Sequence, residues 1–214
     1  MKKLLFIFAG ALMLLLASCE SKEEGLPLTT VATIVTYEST ANGYSTFSYT
    51  DNRENLITLS AKWGGDEELR AGARVLIQYT AERYGVSGDI ALLGLTRIPW
   101  GVPKTVNKVL IPESEPLEQC SIWRSGQYLN LSSVVTINGN PDEISLYVDA
   151  ATARSPEPTA YVVVGPTDYS TVGVERTLFA SWDISDILSA PGFEGLKVVF
   201  TNSANQPTVI KIEN

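Results

Sequence analysis

The chain contains no histidine. A serine hydrolase triad and a cysteine–histidine pair both use imidazole as the general base, so these two kinds of nucleophilic catalysis are excluded. Metal sites that depend on an imidazole ligand are excluded for the same reason. The sequence also lacks a glycine-rich phosphate loop, EF-hand spacing and a Gly-x-Ser-x-Gly elbow. No cofactor and no metal site are therefore predicted.

Cysteine is almost as scarce, because the chain has only Cys19 and Cys120. If Cys19 carries an N-terminal modification, as argued below, no intramolecular disulfide can form. Arg124 is the only cation near Cys120 in the sequence, so we interpret Cys120 as a small buried apolar residue. A reactive thiol is the alternative. Stability must then come from burial, for which 44% hydrophobic residues are sufficient.

Positive charge is in deficit. The chain has 16 Lys and Arg residues against 24 Asp and Glu residues, which gives a net charge of −8. No cluster of Lys and Arg interrupts this acidic composition. An acidic surface repels nucleic acid and anionic lipid headgroups, so no nucleic-acid partner is predicted. Attachment to a membrane would therefore need an anchor other than surface charge.

The N-terminal residues predict such an anchor. Two lysines precede an apolar run over Leu4–Leu16, which is too short to cross a ~30 Å hydrocarbon core and is typical of a signal peptide over residues 1–18. The next residues, Leu16-Ala17-Ser18-Cys19, resemble the lipobox of bacterial lipoproteins. That resemblance implies cleavage before Cys19 and acylation of its thiol. The acyl chains, at about 0.8 kcal/mol per buried CH₂, then anchor the protein to a membrane.

Residues 19–29 are polar and contain glycine and proline, so they are interpreted as a tether. Within them, Lys22, Glu23 and Glu24 resemble the export signals of surface lipoproteins from Bacteroides-type bacteria. The resemblance implies a position on the outer face of the outer membrane. The alternative is that this charged run is only a solvated linker.

From residue 30 onward the sequence predicts an all-β chain. Short runs rich in Val, Ile, Leu, Thr and Tyr are separated by turn residues such as Asn42-Gly43 and Gly64-Gly65. Six runs precede residue 112 and six follow residue 118. They cover residues 31–37, 44–50, 56–61, 73–82, 90–98, 105–111, 128–137, 143–149, 160–164, 176–182, 196–201 and 208–212.

Turn residues divide this β pattern further. Ile111–Pro116 has two prolines around acidic residues, which makes it the predicted domain boundary. Residues 30–112 would form a small barrel and residues 118–214 a sandwich. Single helical turns are predicted at 66–69 and 183–188, and a tight hairpin turn at 138–141.

Three segments in this order behind the lipobox carry a family resemblance: Gly72–Tyr79, Trp123–Asn130 and Leu178–Asp186. With them the chain resembles the NigD-like lipoproteins. The resemblance implies an OB-like N-terminal barrel and an immunoglobulin-like C-terminal β-sandwich. It implies no catalytic residues. The family's name comes from a bacteriocin-associated operon.

Carboxylates are the only catalytic groups left to consider. Asp66-Glu67-Glu68 and Asp142-Glu143 could supply the pair that a glycosidase needs, about 5–9.5 Å apart. Both groups lie beside turn residues, where acidic side chains commonly solvate the chain. The oxygen-rich segment 138–142 could bind calcium, but it also suits a hairpin turn. No enzyme is predicted.

Four tryptophans remain. Trp123 and Trp182 are interpreted as core residues, whereas Trp63 and Trp100 lie in glycine-containing loops. A rigid loop that presents an indole suits a sugar ring or a protein partner, so Trp63 and Trp100 are the candidate ligand-binding residues. The alternative is that each folds back and closes the barrel.

These observations lead to one main hypothesis. The chain is expected to be a non-enzymatic, surface-exposed lipoprotein of the outer membrane that serves as a binding or accessory module for a glycan, a peptide or an envelope protein. The alternative is a structural or secretion-linked envelope component without a small ligand. A carboxylate hydrolase is a third hypothesis.

Overall fold

The protein is seen in a computed structural model that describes residues 29–137, 143–165 and 174–213. Within these ranges it has fourteen strands, a short 3-10 helix at Lys108–Leu110 and a four-residue helix α1 at Ser185–Leu188. None of the helices in the described part of the chain is long and apolar enough to cross a membrane. The strands are β1 (Thr29–Ala41), β2 (Tyr44–Thr50), β3 (Leu56–Lys62), β4 (Arg74–Ala81), β5 (Gly88–Arg97), β6 (Trp100–Gly101), β7 (Lys104–Val106), β8 (Glu118–Ser125), β9 (Tyr128–Ile137), β10 (Ile144–Asp149), β11 (Thr159–Val164), β12 (Val174–Asp183), β13 (Gly195–Thr201) and β14 (Pro207–Glu213).

The first five strands form a closed barrel in the order β1-β2-β3-β5-β4, and β4 pairs back to β1. Buried and less buried side chains alternate along β2 and β3, as expected for strands with one face on a core. Phe47, Val75 and Ile77 are fully buried in the barrel interior. The predicted all-β chain with an N-terminal barrel is confirmed.

The remaining strands form two sheets. One has five strands in the order β14-β13-β11-β10-β7, and the other has four in the order β6-β12-β9-β8. A single apolar cluster joins Leu129 and Leu131 of the second sheet to Leu146, Val162 and Leu196 of the first. The two sheets therefore pack face to face over a shared core. That their arrangement is immunoglobulin-like stays a prediction.

The strand predicted at 105–111, as the last of the barrel, is a strand only up to Val106 and does not belong to the barrel. Lys104–Val106 pairs with β10, and Trp100–Gly101 pairs with β12, so both belong to the two packed sheets. Pro99 and Pro103 explain the break, because proline has no N–H to continue a ladder. The residues after Val106 then form the 3-10 helix. Whether 30–112 and 118–214 behave as separable domains stays a prediction.

The predicted boundary segment is attached to the sandwich. The backbone N–H of Glu115 donates to the carbonyl of Val164 at 2.9 Å, and the N–H of Leu117 donates to the carbonyl of Thr201 at 2.8 Å. Leu117 itself is 2% exposed. Pro112 and Pro116 therefore do not prevent a backbone hydrogen bond from Glu115, which lies between them.

The predicted helical turns and hairpin turn have different outcomes. The helical turn predicted at 183–188 is confirmed as α1, where the carboxylate of Asp183 accepts from the N–H of Ser185. The turn predicted as helical at Asp66–Leu69 is a single hydrogen-bonded turn instead, because Asp66 caps only the N–H of Glu68 and no further helical bonds follow. The hairpin turn at 138–141 and the calcium hypothesis for 138–142 lie outside the described residues.

Candidate functional site

Arg74, at the start of β4, joins the barrel to the sandwich. Its Nε donates to Oγ of Ser181 at 3.0 Å, its Nη1 to Oγ1 of Thr36 at 2.8 Å and its Nη2 to Oδ1 of Asn130 at 3.0 Å. The guanidinium carbon also lies 4.1 Å from the centre of the Tyr128 ring. Arg74 is only 1% exposed, and burial lowers its pKa to about 10. The guanidinium therefore stays charged at neutral pH, held by uncharged partners.

The sandwich residues under Arg74 belong to one row across the four-stranded sheet. Trp100 of β6 is in register with Ser181 of β12, Ser181 with Asn130 of β9, and Asn130 with Trp123 of β8. Residues opposite one another on neighbouring strands share a face of the sheet. Arg74 thus covers the middle of a row that has a tryptophan at each edge.

A second contact joins the end of β2 to the β8–β9 hairpin. The hydroxyl of Ser125 accepts from the N–H of Thr50 at 3.2 Å and donates to the Thr50 carbonyl at 2.8 Å. Gly126, at a φ of +56°, lies so close that a Cβ there would be 2.7 Å from Oγ1 of Thr50. Arg124 and Glu54 form an ion pair beside it.

Two clefts flank this contact and share Tyr49, Thr50 and Ser125 in their walls. The smaller, of about 350 Å³, is lined by Arg74, Tyr128 and Glu38 among others. The larger, of about 510 Å³, has walls from both the barrel and the sandwich. We call the larger one the aromatic cleft, and its lining includes Tyr49, Asn52, Arg53, Tyr84, Trp123 and Arg124.

Two exposed rings give the aromatic cleft its name. Tyr84, in the loop between β4 and β5, is 60% exposed, and Trp123 of β8 is 37% exposed. Trp123 lies outward because the alternation of β8 directs its neighbours Cys120 and Ile122 toward the sandwich core. The cleft therefore presents one aromatic ring from the barrel and one from the sandwich.

The polar groups of the aromatic cleft come mainly from the turn after β2. The Asp51 carboxylate accepts from the backbone N–H groups of Arg53 and Asn55, both at 2.8 Å, which fixes this turn. Hydrogen bonds from Asn55 lower the pKa of Asp51, so it is ionised at neutral pH. The hydroxyl of Tyr49 is buried and has no hydrogen-bond partner in the structure. It is a buried polar group without a bond, in the wall of a cleft.

The two tryptophans selected from the sequence lie elsewhere. Trp63 is half-buried against the barrel core and stacks on Phe47, with ring centres 6.4 Å apart. Trp100 is 51% exposed on the edge strand β6 of the four-stranded sheet. The structure thus places Trp63 just after β3 of the barrel and Trp100 on β6 of the four-stranded sheet, and their part in ligand binding stays a prediction.

Sequence reasoning missed Tyr84 and assigned Trp123 to the core. The pattern of β8 could have located Trp123, since it is out of phase with the apolar pair Cys120 and Ile122. The Tyr84-Gly85 turn could have marked an exposed ring, since Gly85 has a φ of +72°. Neither pattern could have predicted that strand β8 and the Tyr84-Gly85 turn line the same cleft.

Other predicted residues fall into two groups. Cys19, Lys22, Glu23 and Glu24 lie outside the described residues. Cys120 is half-buried against the sandwich core, and burial raises the pKa of its thiol to about 11. The thiol is therefore protonated at neutral pH, as expected for a small apolar residue and not for a nucleophile.

Three of the acidic residues considered for hydrolysis, Asp66, Glu68 and Glu143, are in ion pairs, and Asp142 lies outside the described residues. Asp66 and Glu68 both bind Arg97, and the Arg97 hydrogen bond lowers the pKa of Asp66. Glu143 accepts from Lys104 Nζ at 2.6 Å and its pKa falls to about 2. A glycosidase acid needs a raised pKa. In the described ranges no group of three His, Cys, Asp or Glu side chains is arranged to hold a metal ion.

The fold is shared with solved structures from Bacteroides and Parabacteroides species. A toxin-related protein of Parabacteroides distasonis is 15% identical, with 86% of this chain and 94% of that one covered and a TM-score of 0.62. A protein of Bacteroides fragilis described as a lipoprotein is 16% identical, with 86% and 98% covered and a TM-score of 0.61. A NigD-like immunity protein of Bacteroides caccae is 17% identical, with 85% and 90% covered and a TM-score of 0.58.

Comparison of the amino-acid sequence alone, without the structure, is less informative than comparison of the fold. No family model matches the chain. No curated protein matches it either. The structural likeness extends over most of this chain and of each solved protein. The chain therefore has the fold of these Bacteroides and Parabacteroides proteins, a NigD-like immunity protein among them, and the resemblance to the NigD-like lipoproteins is confirmed at the level of the fold.

Proposed function

We propose that this protein is a non-catalytic, lipid-anchored protein of the outer membrane, exposed at the cell surface, and that it works as a binding or accessory module. Its target is a glycan, a peptide or an envelope protein. The observation that carries the proposal is the aromatic cleft, where Tyr84 and Trp123 are exposed beside polar side chains between the barrel and the sandwich.

The cleft has the character of a binding site. Its volume of about 510 Å³ lies in the ~300–1,000 Å³ range of small-molecule sites. Its walls are held in place by the Thr50–Ser125 hydrogen bonds and by the buried Arg74 contacts nearby. A pre-formed site loses little conformational entropy when a ligand binds.

A non-catalytic role agrees with the chemistry of the acidic residues. Asp66 and Glu143, two of the acids considered for glycosidase chemistry, have lowered pKa values because Arg97 and Lys104 hydrogen-bond to them. Neither is suited to donate a proton near neutral pH.

The strand order of the barrel supports the OB-like description, and the two packed sheets support an immunoglobulin-like one. The lipobox at Leu16–Cys19 supports lipid anchoring, and Lys22, Glu23 and Glu24 support surface exposure. Replacing these three residues with alanine tests the surface position. Protease added to whole cells should remove the native protein and spare the variant, and equal digestion of both would leave the charged run as a tether only.

A second function has one observation in its favour. The similar solved structures include a protein described as toxin-related and one described as an immunity protein. The alternative is therefore a structural or secretion-linked envelope component, associated with a bacteriocin operon, that has no small ligand.

The test is a capture experiment with the lipidated full chain. We expect it to retain an envelope protein from solubilised envelope fractions or to bind glycans on an array. The double variant Tyr84→Ala, Trp123→Ala should weaken this capture. The control is Tyr44→Ala, which should not weaken it, because Tyr44 is an exposed tyrosine at the other end of β2. Failure of the native chain to retain anything in either assay would favour the alternative.

A further inference from the structure

We infer that the aromatic cleft binds a neutral oligosaccharide. This inference rests on the proposed binding function and narrows its target to one ligand class. It follows from three properties of the cleft: the two exposed rings, the hydrogen-bonding groups between them and the balance of charge.

The first property is the pair of rings. A sugar ring has apolar C–H faces and polar edges, so it packs well on an aromatic face. Tyr84 is 60% exposed and Trp123 is 37% exposed, yet both line one cleft. Exposed aromatic side chains in a concave site are costly to leave in water unless something packs on them. Each ring is rigid, which keeps the entropic cost of binding low.

The second property is the polar lining. Asn52 presents an amide and Arg53 a guanidinium, and both side chains are exposed at the rim. The hydroxyl of Tyr49 is buried beneath this lining, beside Tyr79 and Tyr84, and is not counted among the groups that a ligand reaches. A sugar hydroxyl both donates and accepts, so it can pair with the amide and with the guanidinium.

The third property is charge. Arg124 is already paired with Glu54, and Arg53 is near the ionised Asp51 that caps its own turn. Each cation in the lining thus has an anion close by. A phosphate or a uronic acid would need a cation without such a partner, whereas an uncharged ligand needs none.

A protein ligand fits less well. The barrel strands that line the cleft, β1 and β2, are paired along both edges, so a peptide cannot extend the barrel sheet there. Among the described strands, β8 pairs with β9 alone and stands at the edge of its sheet. Addition of a peptide to β8 is therefore the competing outcome that the experiment must separate.

The experiment uses the purified full chain on an array of neutral and acidic oligosaccharides, followed by titration calorimetry with the neutral glycans that bind. We expect Trp123→Ala and Tyr84→Ala each to weaken binding by about tenfold or more. Trp123→Phe should keep part of the affinity because it keeps a ring. Tyr44→Ala should bind as the native chain does, and urea unfolding should show that all four variants are folded.

Three outcomes would overturn the inference. These are an array on which no neutral glycan binds, a glycan whose affinity is unchanged in both alanine variants, and a loss of binding in Trp100→Ala alone. Capture of an envelope protein that depends on Tyr84 and Trp123, with no glycan bound, would reject the sugar and leave the proposed binding function standing. Capture of neither kind of target would reject both.

Discussion

The Nη2 atom of Arg74 donates to Oδ1 of Asn130 at 3.0 Å, and this hydrogen bond joins the barrel to the sandwich. The same Asn130 oxygen accepts from the hydroxyl of Ser181 at 2.9 Å, so both partners of Arg74 on the sandwich are tied to each other. The guanidinium is buried with three uncharged acceptors. Its desolvation has a cost that these hydrogen bonds must offset.

Removing Arg74 should therefore be costly. We expect Arg74→Ala to lower the free energy of unfolding by about 3 kcal/mol or more, because it leaves a cavity and removes three buried hydrogen bonds, although Asn130 keeps the one from Ser181. Urea unfolding followed by tryptophan fluorescence measures this loss. A loss below about 1 kcal/mol would show that the network contributes little to stability.

Two further substitutions at Arg74 separate charge from shape. Arg74→Lys keeps the charge but cannot reach three acceptors with one ammonium, so it should lose nearly as much as alanine. Arg74→Met fills the space without a buried charge and should recover part of the loss, as apolar replacements of buried ions often do. If Arg74→Lys were as stable as the native chain, the three hydrogen bonds of the planar guanidinium would not be needed for stability.

The Gly126 backbone gives a second prediction. At a φ of +56° alanine is strained, and its Cβ would also lie 2.7 Å from Oγ1 of Thr50. Gly43, at a φ of +78°, has nothing within 4 Å of its Cβ position, so Gly43→Ala carries the strain alone. We expect Gly126→Ala to lose about 1–2 kcal/mol more than Gly43→Ala in urea unfolding. Equal losses would show that the hairpin can move away from the barrel at no cost.

Local patterns predicted much of this fold. The strand Tyr44–Thr50 has the predicted bounds, because turn residues stand at both ends. Strand β8 was missed, since its sequence has few β-branched residues and its pairing with β9 comes from the tertiary structure. Strand β7, at the edge of the five-stranded sheet, was likewise taken for the last strand of the barrel, because Lys104–Val106 looks the same in either sheet.

The candidate site was harder to predict than the fold. Arg74 was noticed only as part of the segment Gly72–Tyr79, and nothing in that segment shows that its side chain reaches Asn130. The aromatic cleft combines Tyr84, from a loop of the barrel, with Trp123, from a strand of the sandwich. Such long-range contacts depend on how the barrel docks on the sandwich, and a single sequence does not encode that in any local period.

The cluster around Glu143 predicts a pH dependence. Hydrogen bonds from Lys104, Ser145 and Tyr147 lower the pKa of Glu143 from 4.5 to about 2. A carboxyl with a depressed folded pKa stabilises the protein above pH 4.5, and this contribution is lost as the pH falls from 4.5 toward 2. About a third of the side chain is exposed, so solvent screening reduces the contribution to about 1 kcal/mol.

Glu143→Gln should therefore lower the free energy of unfolding at pH 6 and have little effect at pH 2.5. Urea unfolding at both values of pH measures the difference. Glu82→Gln, at an exposed position in the loop after β4, is the control for the change of formal charge. A deficit in Glu143→Gln that is the same at both values of pH would contradict the assignment.

Trp63 and Trp100 should behave differently when truncated. Trp63 stacks on Phe47 against the barrel core, so Trp63→Ala should lose about 2–3 kcal/mol of stability. Trp100 is half exposed on an edge strand, so Trp100→Ala should lose less than about 1 kcal/mol. Urea unfolding of both variants tests this, and a large loss at Trp100 with none at Trp63 would reverse it.

The last prediction concerns Cys19, the residue to which the lipid is expected to attach. The lipobox requires a thiol at this position, so Cys19→Ala should abolish labelling by radioactive palmitate and leave the protein in the soluble fraction or uncleaved. The barrel and sandwich lie beyond the tether, so the variant should still fold and show the native urea unfolding curve. Ser18→Ala, which keeps a small residue before the cysteine, should be labelled as the native chain is. Palmitate in Cys19→Ala would mean that another residue is acylated, and the lipoprotein assignment would fail.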